Sequence, residues 1–235
     1  MLIWLPIPFL ILSVALLIRA EEREPRDVRS VWVWKPLATL LVIAVCALSF
    51  TGPAGAAGST YTWLILIGLA LSFAGDLLLI DRDNRRAFTG GLIAFLLAHV
   101  AYIGAFVYLQ ASRNFAFDLL SEIVDIGALT LIAVAVYRYL GPGLGSMRAP
   151  VIVYMLVISV MVQRALAIAF VHPGPALQPL AIALGALLFY VSDAILAVNR
   201  FRYHNDLPGG RRWNLATYYA GQVLLALSAS FFALG

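Results

Sequence analysis

Phe73-Ala74-Gly75-Asp76-Leu77-Leu78-Leu79 places a carboxylate near the end of an apolar stretch of membrane-spanning length, about residues 60–80. Tyr190-Val191-Ser192-Asp193-Ala194-Ile195-Leu196 repeats the frame in a second such stretch, about residues 176–199. Each reads aromatic, any residue, small residue, Asp, then aliphatics. A spanning helix needs roughly 20 apolar residues. A carboxylate inside one costs at least about 2.5 kcal/mol on insertion scales, so it is usually kept for a function. Two of them in matching frames predict a paired site between helices.

Further apolar stretches at about 2–18, 34–50, 88–109, 118–140, 149–171 and 214–234 bring the set to eight. The chain of 235 residues is 63% hydrophobic and only 12% charged. That composition excludes a water-soluble domain and predicts an all-α, polytopic bundle of transmembrane helices. The connections are short, so residues 1–235 are expected to form a single transmembrane domain. The lone cysteine, Cys46, excludes an intramolecular disulfide. Nothing basic precedes the first stretch and arginines follow it, which argues against a cleaved signal peptide.

The net charge of +4 becomes informative once mapped. Eight spans put both termini on one side and the first, third, fifth and seventh connections on the other. Of the sixteen Lys and Arg residues, all but Arg113 and Arg164 fall on those odd connections or the adjoining helix ends. By the positive-inside rule the odd connections are cytoplasmic and both termini outside, in a cell (inner) membrane. The basic face would also attract anionic membrane lipids. Orientation accounts for the charge, so nucleic acid is not an expected partner.

This topology sorts the intramembrane polar groups by depth. Lys35, Asp76, Tyr154, Asp193, Tyr218, Tyr219 and Gln222 lie toward the cytoplasmic side, with His99 near the middle. Glu122, Asp125, Gln163 and Arg164 lie toward the outer side. There, Asp125 and Arg164 are expected to form an ion pair locking helices five and six, with Glu122 one turn away; a proton or substrate path is the alternative. In the inner cluster, two carboxylates at one depth could not easily both ionise if they faced each other, leaving one acid and one base. Lys35, the only lysine, reads either as a snorkelling residue or as a counter-ion to a carboxylate or ligand phosphate. His99 and Tyr102 share a helix face. His99 reads as a core residue or a catalyst, Tyr218 and Tyr219 as interfacial aromatics, and Gln222 as a helix–helix or substrate contact.

Local punctuation fits the helices. Pro36 is expected to open the second one. Thr51-Gly52-Pro53-Ala54-Gly55, Gly141-Pro142-Gly143, His172-Pro173-Gly174-Pro175 and Pro208-Gly209-Gly210 read as turns. The helices returning after the two Asp frames carry Ala98-His99 and Gly221-Gln222, which reads as a weak four-helix repeat or as coincidence in an apolar background. No HExxH, CxxC or GxSxG occurs, and three histidines with one cysteine make a zinc site unexpected.

The ordered set Lys35-Pro36, Gly75-Asp76, Phe95 with His99 and Tyr102, Ser192-Asp193, and Tyr219 with Gln222 resembles the YhhN family of membrane proteins. That family includes lysoplasmalogenases related to transmembrane protein 86. The resemblance covers essentially the whole chain. It implies an eight-helix membrane enzyme that hydrolyses the vinyl ether bond of lysoplasmalogens, giving a fatty aldehyde and glycerophosphocholine or glycerophosphoethanolamine. It implies a lysophospholipid substrate and no metal or cofactor. The chemistry needs an acid for the alkenyl carbon, a base for water and a negative environment for the cation formed. Asp76 and Asp193 are the expected pair, with their roles open. Lys35, His99, Tyr102, Tyr154, Ser192, Tyr219 and Gln222 are the expected substrate contacts. A small proton- or ion-coupled transporter using the same Asp pair is the alternative, and a lipid-binding scaffold a third. An enzyme predicts one lipid-sized cavity opening to one side; a carrier predicts polar access reaching both.

Overall fold

The computed structural model describes residues 2–51, 59–81, 84–113, 119–171 and 177–231. Its helices are α1 (Pro6–Glu22), α2 (Val28–Leu48), α3 (Ser59–Leu78), α4 (Arg85–Ser112), α5 (Leu119–Leu140), α6 (Arg148–Val171), α7 (Leu177–Phe201) and α8 (Gly210–Ser228). No strand occurs among the described residues. Seven of these helices are long and apolar enough to cross a membrane, so this is a multi-pass membrane protein. The exception is α8, whose hydropathy is lowered by Arg211, Arg212, Asn214, Tyr218, Tyr219 and Gln222. Its position explains the composition. It packs against α7, α1, α2 and α3, so Tyr218, Tyr219 and Gln222 are buried against protein.

The second helix starts earlier than expected, at Val28, and Pro36 lies inside it instead of opening it. The cause is a cap that hydropathy does not see. The Asp27 carboxylate accepts the Ser30 N–H at 3.1 Å and the Ser30 hydroxyl at 2.7 Å, closing the first turn. Those two bonds, with Arg23 beyond them, hold the Asp27 carboxyl below the usual carboxylate range. Pro36 removes one N–H from the ladder. One residue before it, the Lys35 carbonyl accepts from the Tyr219 hydroxyl at 3.2 Å. Capping moves another boundary: Asn84 accepts the N–H groups of Arg86 and Ala87, so α4 begins at Arg85. The expected turns at Gly52-Pro53 and His172–Pro175 lie outside the described residues, whereas Gly141–Gly143 is a 3-10 turn and Gly209, at φ 67°, leads into α8.

Each carboxylate-bearing helix forms a hairpin with the helix that follows, and a glycine sets each spacing. A Cβ on Gly221 would lie 2.8 Å from the Gly185 carbonyl oxygen and 3.1 Å from the Phe189 nitrogen, so α7 and α8 touch backbone to backbone. A Cβ on Gly75 would lie 2.6 Å from the Phe95 ring, which rests on α3 beside Asp76. Small residues at such crossings are the membrane solution to close helix packing. Next to the α7–α8 hairpin, α6 packs on α4 and α7, while α5 packs mainly on α6 at the periphery. Ile123, Val124 and Leu131 of α5 are exposed and face lipid.

Gly221→Val should therefore lower stability by about 1–3 kcal/mol, the usual cost of overpacking. Gly127→Val on α5, where a Cβ meets nothing within 4 Å, should be near neutral. Thermal unfolding in detergent checks the contrast, and equal shifts in the two variants would contradict it.

Candidate active site

Asp76 is buried at the end of α3 and is held from two other helices. Lys35 of α2 places Nζ 3.3 Å from Oδ1. Thr39, one turn along α2, and Tyr218 of α8 both donate to Oδ2 at 2.7 Å. Behind them, Gln222 donates to the Tyr218 hydroxyl at 3.0 Å and accepts from Tyr102 of α4 at 2.9 Å. Tyr219 stands 3.2 Å from the Thr39 hydroxyl. This is a carboxylate with a cation and two hydroxyl donors, in a place where losing one partner costs about 3–5 kcal/mol.

Asp193 on α7 has different neighbours despite its matching frame. Tyr154 of α6 donates to Oδ2 at 2.5 Å. His99 Nε2, fully buried, sits 3.7 Å from the same oxygen and finds no hydrogen-bond partner. No Lys or Arg pairs with Asp193 among the described residues. The His99 ring is fixed between Phe189 and Tyr154, with centroids 4.7 and 5.3 Å away. Phe189 also packs edge-on against Tyr218 at 5.4 Å, so one aromatic wall backs both carboxylates.

Two cavities meet at this wall. The polar one is lined by Lys35, Asp76, Ser192, Asp193, Asn214 and Tyr218, and reaches Glu21, Arg200 and Arg211 on the arginine-rich side. The apolar one runs between α4, α5, α6 and α7 past Leu92, Val136, Tyr154, Met155 and Ile158. Leu79, Phe88, Phe95, Asp193 and Leu196 line both. Asp193 is thus the carboxylate on the seam, with Asp76 on the polar side of it. Neither cavity is lined by Glu122, Asp125 or Arg164.

The expected residues divide into two groups. Lys35, Asp76, Tyr154, Ser192 and Asp193 line a cavity. His99, Tyr102, Tyr219 and Gln222 lie behind the wall, bonded to or packed on the residues that do. Ser192 also ties α7 to α8. Its hydroxyl donates to the Asn214 carbonyl at 3.1 Å, and the Asn214 amide donates back to the Ser192 carbonyl at 2.9 Å. Sequence reading missed Thr39 and took Tyr218 for an interfacial aromatic. Both were within reach of helical spacing, since Thr39 falls one turn after Lys35 and Tyr218 one turn before Gln222. Among the described residues, no group of three or more His, Cys, Asp or Glu side chains is arranged to hold a metal ion.

The outer cluster corrects one expectation. Arg164 pairs with Glu122, not with Asp125, and Gln163 donates to the same Glu122 oxygen. Arg164 Nε also donates to the Gln163 amide oxygen at 2.5 Å. The longer glutamate arm satisfies α6 from one turn earlier on α5. One oxygen of Asp125 is buried without a hydrogen-bond partner.

Fold and site together define a polytopic helical membrane protein with two unequal carboxylates, Asp76 buried and Asp193 half-buried, at the junction of a polar and an apolar chamber. The chain belongs to the YhhN family, whose model matches residues 30–229. It is 35% identical over 175 residues to mouse lysoplasmalogenase TMEM86B, covering 74% of this chain and 66% of the mouse protein. It is 31% identical to the rat TMEM86B lysoplasmalogenase over 96% of this chain and 83% of that protein. It is 31% identical to a lysoplasmalogenase of Mycobacterium tuberculosis over 74% of this chain and 62% of that protein. No solved structure matches it.

Because Glu122 rather than Asp125 partners Arg164, Glu122→Gln should destabilise the protein by at least about 1–3 kcal/mol, leaving a cation short of its carboxylate. Asp125→Asn should cost less. Chemical or thermal unfolding of both variants in detergent orders them, and the reverse order would restore the Asp125 pairing.

Proposed function

We propose that this protein hydrolyses the vinyl ether bond of alkenyl lysophospholipids, and that Asp193 and Asp76 divide the acid and base work. The observation that carries the reading is the position of Asp193, on the seam where an apolar chamber for a single chain meets a polar chamber for a headgroup. A single-chain phospholipid has that same division, with the alkenyl ether at the join. The names of the related proteins support the reaction class.

The surroundings suggest which carboxylate does what. Asp76, with a lysine and two hydroxyl donors, is suited to remain an anion. Asp193, with no cation and an apolar chamber on one side, is suited to carry the proton. In this mechanism Asp193 protonates the alkenyl carbon one removed from oxygen. The resulting oxocarbenium ion lies against the two carboxylates, whose charge stabilises it. Water adds to the cationic carbon and gives a proton to Asp76. As the hemiacetal collapses, its hydroxyl proton returns to Asp193, the Asp76 proton goes to the glyceryl oxygen, and the carbon–oxygen bond breaks. The products are a fatty aldehyde and a glycerophospho-alcohol, and both residues are restored. Tyr154 orients Asp193, with the His99 ring beside it; Tyr218, Tyr102, Tyr219 and Gln222 keep the Asp76 side rigid, and Ser192 holds the Asp193 turn against α8.

The same reading carries the orientation: arginine-rich connections in the cytoplasm, both termini outside, a single transmembrane domain, and substrate drawn from the inner leaflet of the cell membrane. An ion-coupled carrier is less well supported, because the two chambers stop short of the Glu122–Arg164 cluster that a path to the outer side would pass.

Purified protein should release aldehyde from an alkenyl lysophospholipid. Asp193→Asn and Asp76→Asn should each slow release by about 10²–10⁴-fold, the usual worth of a positioned acid or base. Tyr154→Phe should cost nearer tenfold, about one hydrogen bond to a charged group. An Asp193→Asn variant that is folded and fully active would overturn the assignment. No release by folded wild type from choline or ethanolamine substrates would overturn the reaction.

A further inference from the structure

At the rim of the polar chamber, several cations meet carboxylates. Arg26 grips Glu21 through two bonds of 2.7 and 2.8 Å. Arg212 grips Glu22 at 3.0 and 2.7 Å. Arg23 meets Asp27 at 3.3 Å, and deeper in, Lys35 meets Asp76 at 3.3 Å. Arg211 lines the chamber too, yet no carboxylate lies within ion-pair distance of it among the described residues. Its bonds go to backbone carbonyls: one Nη donates to Glu21 O at 2.8 Å, the other to Asn205 O at 3.1 Å. Neutral acceptors fix the guanidinium without cancelling its charge. Two of its five N–H groups are thereby used and the others remain as donors. Asn199, buried on the same wall, spends its side-chain oxygen on the Leu207 N–H at 3.0 Å, which leaves its amide NH2 as a second donor.

A half-buried, pre-oriented guanidinium without a carboxylate is a receptor for an oxyanion, and phosphate suits its planar fork best. The far end of the connected space is apolar. We propose that Arg211, assisted by Asn199, anchors the phosphodiester of a single-chain phospholipid whose hydrocarbon chain fills the apolar chamber. The anchor makes the protein select phosphate-bearing lipids over neutral glycerol ethers. It rests on the reading of these chambers as the hydrolase site. It also gives α1 a part in that site, because the Glu21 carbonyl that positions Arg211 lies before the stretch matched to the family.

The test compares two lipids on each protein, so that partial misfolding of a variant cancels. Wild type, Arg211→Gln and Arg211→Lys are assayed for kcat/KM on an alkenyl lysophosphoethanolamine and on the corresponding 1-alkenylglycerol. Binding of the saturated ether analogues, which cannot be hydrolysed this way, is followed by calorimetry. The phospholipid-to-glycerol preference should fall at least about tenfold in Arg211→Gln, the worth of one charge-assisted contact, and Arg211→Lys should restore part of it. Unchanged preference in Arg211→Gln, with wild type hydrolysing both lipids, would overturn the anchor and leave the hydrolase standing. Loss of binding preference in Arg211→Gln, with no aldehyde from wild type, would overturn the hydrolase and leave the anchor standing. Inorganic phosphate forms a third arm. If it binds wild type while the two ether lipids bind equally well, the site takes a free anion and the headgroup anchor is overturned.

Discussion

A carboxylate cannot remain charged inside a helix bundle without partners, and the requirements of Asp76 organise much of this protein. Lys35 and Thr39 reach it from α2 and Tyr218 from α8. To bring a tyrosine that close, α8 has to pack against α1, α2, α3 and α7, which is why its buried face carries polar residues that would be costly against lipid. To sit there it has to meet α7 at backbone distance, which is why residue 221 is glycine. The chain of Tyr102, Gln222 and Tyr218 then makes the hydroxyl donor rigid. Breaking one link would leave a buried polar group unsatisfied, so the network acts as a unit.

The second aspartate sits in a matching sequence frame and has a different fate. Around Asp193 stand one tyrosine, a histidine held by ring contacts, and the wall of an apolar chamber. Identical side chains placed in unequal environments are how a fold separates an acid from a base. The inequality comes from partners on other helices, Lys35 on one side and Tyr154 on the other, rather than from residues adjacent in sequence. In the proposed mechanism such a pair needs no special nucleophile. Its power rests on low dielectric and fixed geometry.

Much of this was legible in the chain. Apolar length and the arginine distribution announced a polytopic bundle, and carboxylates in hydrocarbon pointed to the candidate site. What pattern could not supply was partner identity. Helical spacing put Asp125 and Glu122 on one face, and only side-chain reach decided that Glu122 takes Arg164. Pro36 looked like a helix start because hydropathy begins near it, whereas the cap that fixes the start is Asp27, in a charged stretch that carries no apolar signal. Tyr218 looked interfacial because tyrosine is common at membrane surfaces; its role depends on α8 being buried, a tertiary fact. Boundaries and pairings were lost where capping or packing overrides hydropathy.

The central claim is that an aspartic acid delivers a proton to an alkenyl carbon at the chamber seam. Its most direct test is hydrolysis in deuterium oxide, with the aldehyde trapped as it forms and examined by mass spectrometry. The account requires one deuterium on the carbon next to the carbonyl and slower turnover than in ordinary water, because that transfer makes the cation. Aldehyde with no deuterium at that carbon would mean that the ether opens by another route, and the carboxylate mechanism would be wrong.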